Sequence, residues 1–157
     1  MRRLLPVLLI ALALTACAED APRAPSAGFS TASAEVVFRT SSGQRSLSVR
    51  VADTEEERAR GLMGVRELPA GEGMAFVFDG PSTGSFWMQG TLIPLAIAFV
   101  AEGGHILGIV EMSPCTTDPC PSYSAPGAYA MAIEANAGWF ATNGIKVGDE
   151  TVLLEEP

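Results

Sequence analysis

A chain of 157 residues, 48% hydrophobic with 16 Gly and 11 Pro, suits one turn-rich globular domain and is too apolar to be disordered throughout. Its 10 basic residues stand against 18 acidic ones, a net charge of −8. A surface of that sign repels phosphate backbones, and with no basic patch along the chain, nucleic acid is a poor partner.

Met1-Arg2-Arg3 is a short positive region, and Leu4 to Ala16 is an apolar run. About 20 apolar residues are needed to cross a bilayer, so the run is too short to span one and right for the core of a signal peptide. It ends Leu14-Thr15-Ala16-Cys17, the pattern of a lipobox, which is cleaved before a cysteine already carrying diacylglycerol. Residues 1–16 are therefore expected to be a lipoprotein signal peptide and Cys17 the lipid attachment site. The cofactor-free anchor holds through its methylenes, each contributing roughly 0.8 kcal/mol, so two or three acyl chains bind far more firmly than one. Loss of Arg2 and Arg3 leaves 8 basic against 18 acidic residues, a charge of −10. The expected location is the cell envelope outside the cytoplasm. In a cell with two membranes, Ala18 after the lipidated cysteine directs the protein to the outer membrane, facing the periplasm.

Residues 17–34 carry the lipidated cysteine and an Ala-, Ser- and Pro-rich tether reaching roughly 20–25 Å as a flexible coil. The domain is expected over 35–157. Val36 and Phe38 alternate with polar neighbours, Ser41-Ser42-Gly43-Gln44 turns, and Leu47, Val49 and Val51 alternate again, which predicts a β-hairpin. Thr54 with Glu57 three residues on predicts a capping box, acidic residues 55–57 favour the positive end of a helix, and Gly61 stops it. Met74, Phe76 and Phe78 predict a strand broken by Gly80-Pro81. Ser85–Met88 is a short aromatic strand. Leu95, Ile97 and Phe99 then alternate with Ala96, Ala98 and Val100, and Gly103-Gly104 turns into Ile106–Met112. Tyr129, Met131 and Ile133 share a face, Asn136 is expected to cap a helix over Ala137–Thr142, and Glu150–Leu154 is the last strand. The fold class is mainly β: a single small β-sandwich or distorted barrel with two short helices.

Cys115 and Cys120 lie in Pro-Cys-Thr-Thr-Asp-Pro-Cys-Pro. An even pair closing a small Pro-rich loop in an exported domain reads as a disulfide. The spacing is not the C-x-x-C of thioredoxin-like redox sites, and no histidine is near enough in sequence to complete a metal sphere. No metal or other cofactor is expected.

Few residues offer chemistry. The single histidine, His105, follows the Gly103-Gly104 turn and reads as solvated. Met63, Met74, Met88, Met112 and Met131 would be soft copper ligands in an oxidising compartment, but three fall in phase with strand alternation, where methionine fills cores. Glu111 and Glu134 stand among apolar neighbours on predicted strands, and a buried carboxylate pair can act as acid and base. Phe86 and Trp87 cannot both point inward from one short strand. Either Trp87 forms the lip of a ligand groove with Arg60, Gln89 and Thr91, or an adjoining loop covers it.

The stretches Arg60-Gly61-Leu62-Met63, Gly73-Met74-Ala75-Phe76-Val77-Phe78, Phe86-Trp87-Met88, Thr91-Leu92-Ile93-Pro94-Leu95, Asn136-Ala137-Gly138-Trp139 and Gly144-Ile145-Lys146-Val147-Gly148-Asp149 share order and spacing with one family. The chain resembles domain of unknown function 192 over about residues 50–153. The resemblance implies a compact, mainly β domain, often exported, and implies no activity. The family usually carries Lys and Asn after Phe-Trp-Met and Asp after Ile-Pro-Leu. Here Gln89, Gly90 and Ala96 stand at those places.

Two function classes follow. The first is a non-enzymatic, membrane-anchored module binding a small molecule or envelope component in a shallow, uncharged groove bounded by Trp87, Gln89, Thr91 and Ala96, with Arg60 or Glu134 near its edge. The second is an envelope hydrolase using Glu134 or Glu111, its catalytic residues otherwise unknown. The anchor is tested directly: Cys17→Ser is expected to abolish incorporation of labelled fatty acid and to leave the membrane fraction or stall uncleaved. Equal labelling of the variant would contradict the lipoprotein reading.

Overall fold

The computed structural model describes residues 33–155. The expected signal peptide, Cys17 and residues 18–32 of the tether lie outside the described residues. The fold is mainly β. Seven strands form one curled sheet: β1 (Ser33–Thr40), β2 (Gly43–Ala52), β3 (Glu72–Ser82), β5 (Leu95–Val100), β6 (Ile106–Met112), β8 (Tyr129–Asn136) and β9 (Glu150–Glu155). The short strands β4 (Ser85–Trp87) and β7 (Ser122–Ser124) pair separately. Helices α1 (Glu55–Arg60) and α2 (Trp139–Thr142) complete it. No helix of the described residues is long and apolar enough to cross a membrane.

The strand order is β6-β5-β8-β3-β2-β1-β9. Only β2 and β3 run parallel, and α1 lies in the crossover between them. The sheet curls until its outermost strands meet. His105 bridges Glu150, Thr151 donates its N–H to the Gly104 carbonyl at 2.7 Å, and Ile106 donates to Asp149 at 2.9 Å. The result is a half-barrel, as the distorted-barrel expectation required.

Curling divides the apolar residues into two cores. The inner one gathers Val36, Phe38, Leu47, Val49, Ala96, Ala98, Ile133 and Phe140 from strands far apart in the sheet and from α2, which only the concave side permits. The outer one holds Met74, Phe76, Met88, Leu95, Ile97, Phe99, Met112 and Tyr129 under the segment carrying Leu62 and Leu68. All six residues of β5 are consequently buried. Met74, Met88 and Met112 fill the outer core, and Met131 packs partly buried against the inner one.

Local signals hold in most elements. The β1–β2 hairpin turns between Thr40 and Gly43. In α1 the Thr54 hydroxyl accepts from the Glu57 N–H at 3.2 Å, and the Glu57 carboxylate accepts from the Thr54 N–H at 3.2 Å; Gly61 ends the helix at φ 47°. Cys115 and Cys120 are joined, their Cα atoms 5.7 Å apart. His105 is exposed.

Two expectations are corrected. Gly80-Pro81 does not end β3, because the ladder to β8 resumes at Ser82 after a bulge. Asn136 does not cap α2. It is the last residue of β8, its side-chain amide donates to the Leu68 and Pro69 carbonyls, and Gly138 at φ 75° occupies the cap.

Gly73 on β3 pairs with Val49 on β2 and Ala135 on β8. A Cβ there would stand 2.3 Å from the Glu134 carbonyl oxygen and 2.7 Å from Leu47 Cδ2. Gly73→Ala is expected to destabilise the domain by about 3 kcal/mol in denaturant unfolding. Gly71→Ala, with nothing within 4 Å of the added carbon, is expected to change stability by less than about 0.5 kcal/mol.

Candidate functional site

Side-chain direction alternates along a strand, and on β8 this fixes the site. Ile133 and Ala135 face the inner core. Glu134, paired in the ladders with Met74 on β3 and Ile97 on β5, faces the outer one. Its residue is 4% exposed. Burial alone pushes its carboxyl up to about 8, with no cation or hydrogen bond among the described residues to offset it. Every fully enclosed side-chain oxygen or nitrogen among the described residues has a partner. Since Glu134 has none among the described residues, its carboxyl must keep a sliver of accessible surface, and a small recess supplies it.

The recess holds about 30 Å³ and is lined by Glu134, Thr91, Phe76, Phe86, Trp87 and the turn of chain from Arg58 to Met63. That leaves room for a water molecule or a small polar group. Strand β4 decides which aromatic faces where. Phe86 turns in, its ring centroid 5.0 Å from Phe76 and 5.8 Å from Phe99. Trp87 turns out and is 56% exposed at the mouth. The capped helix α1 brings up the arginines. Arg58 donates to the Val77 carbonyl at 2.8 Å and to the Asp53 carbonyl, and lies over the Phe78 ring with its guanidinium carbon 5.0 Å from the centroid. Arg60 is exposed at the rim.

Four expected groove residues therefore come together: Arg60, Trp87, Thr91 and Glu134. Two do not. Ala96 does face away from Leu95 and Ile97, but that side is the inner core and its exposure is 0%. Gln89 is exposed in the turn after Met88 and does not line the recess. The groove drawn through residues 89 and 96 is corrected to a smaller one, deeper in the outer face. Arg58, Phe86 and Met63 were missed. The alternation of Phe86 against Trp87 could have found the second of these. The other two depend on how the crossover folds back over the sheet.

Glu111 does not join Glu134. The ladder sets Glu111 opposite Ala96, which sits opposite Ala135, so it belongs to the other face of the sheet. It is exposed, and its two carboxylate oxygens accept the Gly138 N–H at 3.2 and 3.1 Å. No cluster of three His, Cys, Asp or Glu able to hold a metal occurs among the described residues. A second, shallow hollow of about 410 Å³ is lined by Leu68, Ala70, residues 136–139 and Thr142, and holds no titratable side chain.

A curled β domain with one buried carboxyl under an aromatic lip is thus the class of protein that the fold and site define. The chain belongs to the family described as Uncharacterized ACR, domain of unknown function 192, whose pattern it matches over residues 37–153. Two solved structures are similar. One is a protein of unknown function from Novosphingobium aromaticivorans, 34% identical, with a TM-score of 0.70 over 75% of this chain and 83% of that one. The other, from Sinorhizobium meliloti, is provisionally called a transcription regulator. It is 29% identical, with a TM-score of 0.72 over 77% of this chain and 93% of that one. No curated protein matches the chain.

Glu134 gives stability a pH dependence. Its folded pKa of about 8 lies above the ordinary 4.5, so between these values the unfolded chain has released a proton that the folded one retains. Its contribution is fully present below pH 4.5, falls through this window by about 1.4 kcal/mol per pH unit, and levels off above about pH 8. Glu134→Gln is expected to match the parent at pH 4.5 and to exceed it at pH 8 in denaturant unfolding. A constant difference across the window would contradict the buried, unpartnered carboxyl.

Proposed function

We propose that this protein is an exported lipoprotein, anchored by acyl chains on Cys17, whose domain binds a small molecule or envelope component at the Glu134 recess. The observation that carries the reading is the Glu134 carboxyl itself. A domain that needed only stability would place an apolar side chain there, because an unpartnered buried polar group costs about 1–3 kcal/mol. A polar group kept in a hole beside an exposed Trp87 is the arrangement of a ligand pocket, with a few convergent polar atoms in apolar walls.

The address rests on the lipobox and is supported by the Cys115–Cys120 bridge, since disulfides persist in oxidising compartments. Hydrolysis by paired carboxylates lacks a pair, because Glu111 and Glu134 are on opposite faces. Transcription regulation, the name given to the Sinorhizobium meliloti protein, finds no support in a chain of net charge −8.

Solvent-extracted and size-fractionated digests of the cell envelope serve as probes of the full chain in detergent. At least one fraction is expected to raise the melting temperature by mass action. The shift should be lost in Glu134→Leu, which fills the recess, and reduced in Trp87→Ala. No stabilising fraction, or equal shifts in all three proteins, would overturn this reading.

A further inference from the structure

The walls of the recess select among ligand chemistries, given the binding role argued above. The recess is small, about 30 Å³, so a small polar group such as a hydroxyl or ammonium can enter while the rest of the ligand lies outside against Trp87. An ammonium would have to pass a mouth lined by Arg58 and Arg60 and meet Glu134 as a buried carboxylate. Desolvating both charges removes most of what their pairing returns. A phosphate or a carboxylate would have no cation to meet at the floor, since no positive charge among the described residues offsets the burial of Glu134. Arg58 is already committed to two backbone carbonyls and the Phe78 ring.

A hydroxyl meets none of these obstacles. A neutral carboxylic acid has one donor and an acceptor, and a hydroxyl has the same complement, so the two can exchange hydrogen bonds without burying charge. Thr91, 7% exposed, adds a second hydroxyl to the wall. At the mouth, Trp87 at 56% exposure offers apolar surface. A ligand with hydroxyls on its rim and C–H groups on its ring face matches both. We propose that the recess is a saccharide subsite, in which one sugar hydroxyl enters to bond Glu134 while the C–H face of the ring rests on Trp87.

The test uses the full chain in a zwitterionic, sugar-free detergent, titrated calorimetrically with three probes: the N-acetylglucosamine disaccharide, glucosamine and glycerol phosphate. The neutral disaccharide is expected to bind more tightly than the other two. Glu134→Gln, which keeps a donor and an acceptor, should bind it within about threefold of the parent. Glu134→Leu should lose roughly tenfold or more. Trp87→Ala, at an exposed position that leaves folding intact, should lose up to about tenfold. Tighter binding of glucosamine, abolished by Glu134→Gln, would make this an ammonium site and overturn the sugar assignment while leaving the binding role. Tighter binding of glycerol phosphate would do the same in favour of an anion. Disaccharide binding unchanged in Glu134→Leu would place it elsewhere and overturn the subsite. If no probe binds but an envelope fraction still stabilises the parent alone, the saccharide class falls and the binding role stands. If neither binds, both fall.

Discussion

The burial of the central strands on both faces is the constraint from which the rest of the structure follows. A sheet that curls until β6 touches β9 has a concave side too narrow for water and fills it with Phe38, Leu47, Ile133 and Phe140. The convex side of β3, β8 and β5 would then be an exposed apolar surface, so the α1 crossover and the β4–β7 pair fold over it and form a second core. Each residue of β8 from Ala132 to Ala135 is committed to one of two buried interiors. A carboxylate there has no solvent face to choose, which is why Glu134 ends up enclosed.

That enclosure explains the economy of the site. The crossover brings Arg58 and Arg60, β4 brings Phe86 and Trp87, and the turn before β5 brings Thr91. None of these elements is part of the large sheet's ladder; all belong to the covering layer. The sheet thus supplies the rigid polar floor, and the covering layer supplies the mouth.

How much of this was legible depended on how many faces each segment buries. On β1 and β2 one face is wet, so Val36, Phe38, Leu47 and Val49 alternate with exposed or half-buried neighbours and the hairpin reads correctly. On β5 both faces are dry, and the alternation of Leu95, Ile97 and Phe99 with Ala96 and Ala98 encodes side-chain size instead of exposure. The phase of Ala96 was readable; that its side was a second interior was not. Glu134 stood out as a carboxylate among apolar residues, and Trp87 as an aromatic that could not follow Phe86 inward. Strand β7 is only three residues, Ser-Tyr-Ser, and its pairing with β4 depends on a chain segment 37 residues away, so no local pattern announces it. Asn136 looked like a cap because its type suits one, but its backbone pairs with Leu95 on β5 and its side chain is taken by the Leu68 and Pro69 carbonyls.

The position of β1 has a mechanical consequence. Its first residue, Ser33, follows directly on the segment through which a lipid anchor would act, and β1 is hydrogen-bonded along its length to β2 on one side and β9 on the other. A tension applied at that end runs parallel to the strand. It loads both ladders in shear, so that many hydrogen bonds must yield together, whereas a tether leaving from an edge strand at right angles would peel them one by one. Were the chain held at that end, as the proposed anchor would hold it, the load would fall on both ladders of β1 together.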